Sequence, residues 1–206
     1  MGIVTTIGQI GHVAGQGLAL VAPSALRNRL EQPRYEVLLM DKPVQLRRYD
    51  PQLVAEVSGH GDRETTVRKL YPILQDFIAA AHRPGPEIEP TTPMEHAPLS
   101  LSQAGDATTG VTHRLRFVMP SDWTLETLPR PKDDRIRIRT LPERMVAALT
   151  FDGAPDDAAI QRHEPELRAW LAAQGMAAEG ECEFAYYDPP VTPDALRLNE
   201  VRLEVG

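Results

Sequence analysis

The stretch RFVMPSDWTLETLPRP, residues 116–131, lies near the middle of the chain and separates two halves of similar sequence. Its first four residues continue an alternating run that is typical of a β-strand. Pro120 ends this strand, because proline has no amide hydrogen to donate to a sheet, and Ser121 and Asp122 favour a turn. Two later prolines keep the following segment extended. We therefore interpret the stretch as the link between two folding units.

Strand and helix patterns recur on both sides of this link. VQLRRY (44–49) followed by LVAEVS (53–58) is matched by IRIRTL (136–141) followed by MVAALT (145–150). These runs alternate as half-buried strands do. The matching order indicates that the second half repeats the first.

The helices carry the clearest sign of duplication. PILQDFIAA (72–80) and PELRAWLAA (165–173) place a proline, a leucine, an aromatic and an aliphatic residue in step. A proline inside a helix costs about 3 kcal/mol, so sharing one by chance is a poor explanation. The first helix is predicted over residues 62–82 with Asp62 as its N-cap, and the second is predicted to end at Ala173.

Each helix is followed by two further strand patterns. They are MEHAPLSL (94–101) and THRLRFVM (112–119), then CEFAYY (182–187) and LNEVRLEV (198–205). The predicted fold class is α+β, with pseudo-two-fold duplicated β-β-α-β-β units that form a curled antiparallel sheet of about eight strands, or a distorted barrel, with two packed helices. A cleft between a helix and the sheet edge would suit an apolar ligand.

The chain is expected to divide into an arm and one domain. Residues 1–32 are small, apolar and nearly uncharged, and their spacing predicts a short helix that packs on the domain, a second subunit or a partner. Residues 33–206 form the domain, with halves at 33–120 and 132–206. Val21 to Ala25, VAPSA, resembles a cleavage site and leaves export open, but no charged segment precedes the apolar run, so a cytoplasmic location is expected.

Composition excludes several classes of function. The net charge of −7 argues against a nucleic-acid partner. The arginines at 47, 48, 135, 137 and 139 are interpreted as solvated strand faces. No apolar run is long enough to span a membrane. The single cysteine, Cys182, rules out an intrachain disulfide and is interpreted as a core residue, as are Trp123 and Trp170.

Four segments carry a resemblance to a known family. YEVLLMDKPVQLRRYDPQLVAEVSG (35–59) resembles the opening of the SOUL heme-binding proteins, FVMPSDWTLETLPRPKDDRIRI (117–138) resembles their central signature, and AYYDPPVTPDALRLNEVRLEV (185–205) resembles their C-terminal one. EIEPTTPM (87–94) is similar to their I-x-M-T-x-P-V segment, with proline where methionine is usual. The resemblance covers about residues 33–205.

The resemblance implies a fold related to small-molecule effector-binding domains and a ligand, heme or another tetrapyrrole, on one face of the first helix. Basic side chains would meet the propionates. The implied cofactor-binding residues on that helix are Arg68, Tyr71, Leu74, Gln75 and Ile78. Asp76 stands where another member has a lysine and would repel a propionate.

Two further positions bear on this ligand. Tyr187 belongs to a polar and aromatic cluster that is either a strand end with a rigid turn or one wall of the pocket. Some family members carry a candidate axial histidine where this chain has Arg48, so histidine ligation by that route is excluded.

No catalytic or metal-binding pattern stands out. The six histidines (His12, His60, His82, His96, His113 and His163) lack metal-ligand spacing, and no serine lies in a nucleophile frame. Together with the ligand that the resemblance implies, this predicts a non-catalytic heme or tetrapyrrole binder with a buffering or transfer role. The alternative is a binding module for another amphipathic small molecule, as in the effector-binding domains of regulators.

Overall fold

The structure, a computed structural model, describes residue 25 and residues 27–99, 111–189 and 191–206. Most of the predicted N-terminal arm lies outside these residues. The strands are β1 (Tyr35–Asp41), β2 (Val44–Tyr49), β3 (Gln52–His60), β4 (Met94–Leu99), β5 (Thr112–Val118), β6 (Arg137–Leu141), β7 (Arg144–Asp152), β8 (Ala178–Tyr186) and β9 (Leu198–Val205). The helices are α1 (Arg63–Ile78), α2 (Asp157–Ala173) and a short 3-10 helix (Asp194–Leu196). Among the described helices, none has the length and apolar character needed to cross a bilayer.

The nine strands form one antiparallel sheet in the order β1-β2-β7-β9-β8-β4-β5-β3-β6. Without β1, this order is a palindrome in which β2 matches β6, β3 matches β7, β4 matches β8 and β5 matches β9. Strands of one half pair with strands of the other in equivalent registers. Arg47 of β2 pairs with Val146 of β7, and Val54 of β3 pairs with Arg139 of β6. The pseudo-two-fold axis therefore passes between β4 and β8, and the predicted duplicated α+β fold is confirmed.

Helix α1 begins at the predicted cap, where the Asp62 carboxylate accepts a hydrogen bond from the Thr65 amide at 2.9 Å. The helix ends at Ile78 rather than at residue 82, because the chain leaves the helical conformation at Ala80, whose φ is 54°. Its inner face packs against β3 and β5 and buries Leu70, Leu74 and Phe77.

Helix α2 repeats this arrangement in the second half. The Asp156 carboxylate accepts a hydrogen bond from the Ala159 amide at 2.8 Å, and Leu167 and Leu171 are buried against β7, β8 and β9. Both helices cover the same face of the sheet, as the residues that pair across β4 and β8 show: Met94 packs on the α1 core and its partner Tyr186 packs on the α2 core.

The opposite face of the sheet buries charged side chains. We call this ion-pair network the charged face; its members are Arg47, Glu56, Glu95, Arg114, Arg116, Arg144, Glu183, Glu200 and Arg202. The prediction that Arg47 is solvated is wrong, since this residue is 3% exposed and donates hydrogen bonds to Glu200 at 2.7 and 3.0 Å. Buried charges of this kind are tolerated only when they are paired.

Candidate functional site

One cleft lies beyond the C-terminal end of α1. We call it the Trp123 cleft; it encloses about 400 Å³ and is lined by Glu87, Glu89, Pro120, Asp122, Trp123 and Thr127. Ligand clefts in proteins span roughly 300–1,000 Å³. The Trp123 cleft is therefore large enough to accommodate a small organic molecule.

Buried neighbours hold the walls of the Trp123 cleft. Ile88 is buried in the α1 core, and its amide donates a hydrogen bond to the Ile78 carbonyl at 2.8 Å. On the other wall, the Trp123 amide donates to the Pro120 carbonyl at 3.1 Å and closes the predicted turn. Both segments are thus fixed to the folded core. Trp123 itself is half-buried: it packs on the α1 core, as predicted, and also lines the cleft.

Another cleft, smaller than the first, lies on the charged face. We call it the Tyr187 cleft; it encloses about 230 Å³, has a mostly polar surface, and is lined by Arg27, Asn28, Gln32, Tyr35, Gln45, Arg47, Thr150, Tyr187, Leu198 and Glu200. The Tyr187 hydroxyl donates to Glu200 at 2.9 Å and accepts from Arg202 at 2.9 Å. Burial raises the pKa of Tyr187 well above that of a free tyrosine, so the phenol stays neutral.

Four of the six candidate residues share one stripe on α1. Arg68 is exposed, and Tyr71, Gln75 and Ile78 are half-buried beside it at helical spacing. The Tyr71 ring packs edge-on against Phe117, with ring centroids 5.8 Å apart. We call these four residues the α1 stripe. Neither of the two clefts includes any of them.

The structure does not bring the remaining two candidates to this stripe. Leu74 is fully buried in the α1 core and presents no surface. Tyr187 lies on the charged face, on the other side of the sheet from α1. The resemblance placed Leu74 on the helix but did not indicate which side of the helix would be buried.

Arg48 is also remote from α1. It lies on β2, next to β1 and β7, and forms an ion pair with the exposed Glu36. Helix α1 contacts β3 and β5, near the other end of the sheet order. A residue at position 48 is therefore placed on the α2 side of the molecule.

A buried histidine pair lies near the pseudo-two-fold axis. His96 Nε2 and His113 Nδ1 are 3.0 Å apart, and the Tyr186 hydroxyl is 3.5 Å from His96 Nδ1. Burial, reinforced by His113, lowers the pKa of His96 to about 3, so the ring is neutral at physiological pH. Sequence reasoning weighed the histidines one by one and missed this pair. The two rings meet only because β4 and β5 pair in this register.

The described residues contain no group of three or more histidine, cysteine, aspartate or glutamate side chains that could hold a metal ion. Cys182 is buried, as predicted, and burial raises the pKa of its thiol well above the ordinary value. A thiol in this state is a poor nucleophile and a poor ligand.

A comparison with protein-family models matches residues 30–204 to the model described as SOUL heme-binding protein. The match spans most of the chain and agrees with the resemblance drawn from the four segments. A comparison with curated proteins found no matching sequence.

Solved structures share the fold at low sequence identity. The C-terminal domain of EcmrR superposes with a TM-score of 0.57 and 13% identity, covering 84% of this chain and 98% of that one. A hydrolase from Listeria innocua superposes with a TM-score of 0.56 and 13% identity, covering 82% of this chain and 94% of that one. At this identity the likeness establishes the common architecture alone.

Proposed function

Because the chain belongs to the SOUL heme-binding protein family, we propose that it binds heme or a related tetrapyrrole without catalysing a reaction. Its role would be to buffer or transfer the ligand. The observation that carries the proposal is the α1 stripe, where a cationic side chain stands next to half-buried aromatic and aliphatic ones. A tetrapyrrole has the matching chemistry, a flat apolar ring with carboxylates at one edge.

Arg68 supplies the charge in this proposal. Its guanidinium is exposed and makes no hydrogen bond or ion pair with another described residue. A free guanidinium can donate two parallel hydrogen bonds to one carboxylate. Asp76 is exposed on the same helix and opposes a second carboxylate. Arg68 would therefore pair with one propionate.

Tyr71, Gln75 and Ile78 supply the apolar contact. Burial of about 300 Å² of apolar ligand surface contributes about 7–8 kcal/mol before association costs. A micromolar dissociation constant corresponds to about 8 kcal/mol. After association costs, micromolar or weaker affinity is the expected range.

The α1 stripe contains no histidine. His82, which follows α1, is 81% exposed, and its Nε2 lies 3.8 Å from a carboxylate oxygen of Asp76. When bound, heme would supply a Lewis-acidic iron, but binding would depend on the ring and the propionates. Metal-free protoporphyrin should therefore bind with an affinity close to that of hemin.

Absorption titration with hemin tests this site. We expect Arg68→Ala and Tyr71→Ala each to weaken binding about five- to tenfold, since each removes one class of contact. Lys69→Ala is the matched control, because Lys69 is exposed on the same turn but points away from the stripe. If Arg68→Ala, Tyr71→Ala and Lys69→Ala all titrate like the unaltered protein, the α1 stripe is not the site.

The alternative function, binding of a different amphipathic small molecule, makes another prediction for the same titration. A module of that class would bind hydrophobic cations and would not distinguish Arg68→Ala from the unaltered protein. The sign of the charge on the preferred ligand therefore distinguishes the two functions.

A further inference from the structure

We propose that the apolar edge strand β1 is covered by the chain's own N-terminal segment, the residues that precede Arg27. The contact would be an apolar one, between exposed side chains of β1 and an aliphatic stripe near the N-terminus. Strand β1 and the α1 stripe share no residue, so this contact and the tetrapyrrole site are independent of one another.

Strand β1 is bare on both faces and along one edge. All seven of its residues are exposed, and its only hydrogen-bonded neighbour among the described strands is β2. An apolar strand edge of this kind invites unwanted pairing unless another element covers it. Five of the nine large apolar side chains that are exposed in the described chain lie on β1, between 37% and 52% exposed: Tyr35, Val37, Leu38, Leu39 and Met40.

The apolar side chains of β1 project from both faces of the sheet. Leu39 pairs with Leu46, which is buried in the α2 core, and Val37 pairs with Arg47 of the charged face. Directly opposed residues of two strands share a face, so Leu39 points toward the α2 side and Val37 toward the other. An element that covers β1 must therefore lie along its free edge, where it reaches both sets of side chains.

The other edge of the sheet is protected by charge. Strand β6 has only β3 as a neighbour among the described strands, and its exposed side chains include Arg137 and Arg139. Charged side chains on an edge strand disfavour pairing with another chain. Strand β1 carries no charged residue between Glu36 and Asp41. It lacks the protection that β6 has, so it needs a cover.

The segment before Arg27 has the composition of such a cover. It contains no aspartate, glutamate, lysine or arginine. A helix over residues 3–13 would be about 16 Å long, whereas seven residues of strand span about 23 Å. One side of that helix could therefore contact most of β1. We call its aliphatic residues, which recur at helical spacing, the N-terminal stripe; they are Ile3, Ile7, Ile10 and Val13.

The N-terminal segment joins the folded domain beside β1. Arg27 forms an ion pair with Asp188, whose side chain is 1% exposed, so this junction is fixed to the sheet. Arg27 and Tyr35, the first residue of β1, line the same cleft. The thirteen residues between Val13 and Arg27 span up to about 43 Å when extended. The N-terminal stripe can therefore reach β1, and the tether holds it there at an effective concentration on the order of millimolar.

A second copy of the chain is a poorer cover for β1. When two identical strands pair antiparallel, the start of each lies opposite the end of the other, which brings Glu36 close to Asp41 of the copy. Like charges in opposed positions destabilise a strand pair. The register of β1 also shifts between Val37 and Leu39, and a bulge of this kind hinders pairing at an edge. The N-terminal segment has no carboxylate side chain and avoids this repulsion.

Thiol labelling measures the cover on β1 in the full-length chain. Met40→Cys places a reporter on β1, and Leu125→Cys is the matched control, because the two native side chains are 52% and 57% exposed. The native Cys182 is buried and does not compete for the reagent. Each labelling rate is divided by the rate of the same cysteine in urea-unfolded protein. We expect Met40→Cys to be labelled at least tenfold more slowly than Leu125→Cys.

Substitutions in the N-terminal stripe complete the test. Ile3→Asp/Ile7→Asp/Ile10→Asp should raise the rate at Met40→Cys to that at Leu125→Cys, because the stripe loses its apolar contact. Thr5→Asp/Gln9→Asp/His12→Asp introduces the same three carboxylates on the opposite side of the helix and should leave the rate unchanged.

Three results would overturn the proposal. The first is an equal labelling rate for the two cysteines, and the second is protection of Met40→Cys that survives the isoleucine substitutions. The third is protection that increases with protein concentration, which would show that a second copy covers β1. None of these results involves hemin, so the tetrapyrrole proposal fails or survives separately.

Discussion

The guanidinium of Arg202 lies 3.0 Å from the carboxylate of Glu95, and both side chains are 2% exposed. The pair joins β9 to β4, and thereby one half of the duplicated fold to the other. Arg202 also lies 2.7 Å from Glu200, so one buried guanidinium contacts two carboxylates, which pair in addition with Arg47 and Arg116. The charged face thus adds a contact between the two halves to that of the α2 core, in which Val44 and Leu46 of the first half are buried.

Removing Arg202 should be costly. We expect Arg202→Met to lower the free energy of unfolding by about 3–5 kcal/mol, because the network loses a fully buried positive charge, although Glu200 keeps Arg47 and Glu95 keeps Arg116. Arg139→Met is the control: Arg139 is 60% exposed and pairs with Glu56, which retains Arg116. Its loss should cost under about 1 kcal/mol. Urea unfolding measures both, and equal losses would show that burial of the network is unimportant.

The charged face should also make the protein sensitive to acid. Burial alone would raise the pKa of Glu183, but Arg144, Arg116 and Arg114 lower it from 4.5 to about 2. Burial likewise opposes the effect of Arg202 and Arg47 on Glu200, whose pKa is also lowered to about 2.

A carboxylate with a lowered pKa in the folded state contributes stability above its unfolded pKa and loses it as the pH falls toward the folded value. We therefore expect the free energy of unfolding to fall between about pH 4.5 and pH 2. Urea unfolding at several pH values measures this. A flat profile through that window would mean that the carboxylates are not paired as described.

His96 should act in a different pH window. Its pKa is lowered from 6.5 to about 3, because burial disfavours the charged ring and His113 adds repulsion. The folded state resists protonation while the unfolded state does not, so stability is lost as the pH falls from 6.5. We expect His96→Phe, which preserves the stacking on Phe184, to reduce the pH dependence between 6.5 and 4.5. An unchanged slope would place the titration elsewhere.

Substitutions at Leu74 and Arg68, two of the predicted ligand-binding residues of α1, should differ in their effect on stability. Leu74 is fully buried in the α1 core, so we expect Leu74→Ala to lower the free energy of unfolding by about 2–5 kcal/mol. Arg68→Ala removes an exposed side chain and should change stability by under about 0.5 kcal/mol. Thermal unfolding of the two variants distinguishes them. A large loss for Arg68→Ala would mean that this side chain supports the fold.

The duplication was readable from the sequence because it is a local pattern. The prolines of α1 and α2 and the cap Asp62 lie where the sequence predicts them. The palindromic sheet follows from these units. Burial of Arg47 was not readable, because alternation shows which residues share a strand face and not which face is covered. Its partner Glu200 is 153 residues away.

The candidate sites also differ in how far the sequence predicts them. A helical repeat predicts which residues share the α1 stripe, and the family resemblance identified that helix. The Trp123 cleft is assembled from residues on both sides of β4 and β5, and the pair of His96 and His113 depends on strand register. Long-range pairing of this kind has no signal in a single sequence. The structure was needed to bring these residues together.

Amide chemical shifts during titration with metal-free protoporphyrin test the central proposal most directly, because they locate the ligand without relying on iron. We expect the first and largest changes at Arg68, Tyr71, Gln75 and Ile78, with the amides around Tyr187 and Trp123 little affected. Changes confined to the charged face or to the Trp123 cleft, or no changes at ligand concentrations up to the millimolar range, would contradict a tetrapyrrole site on α1.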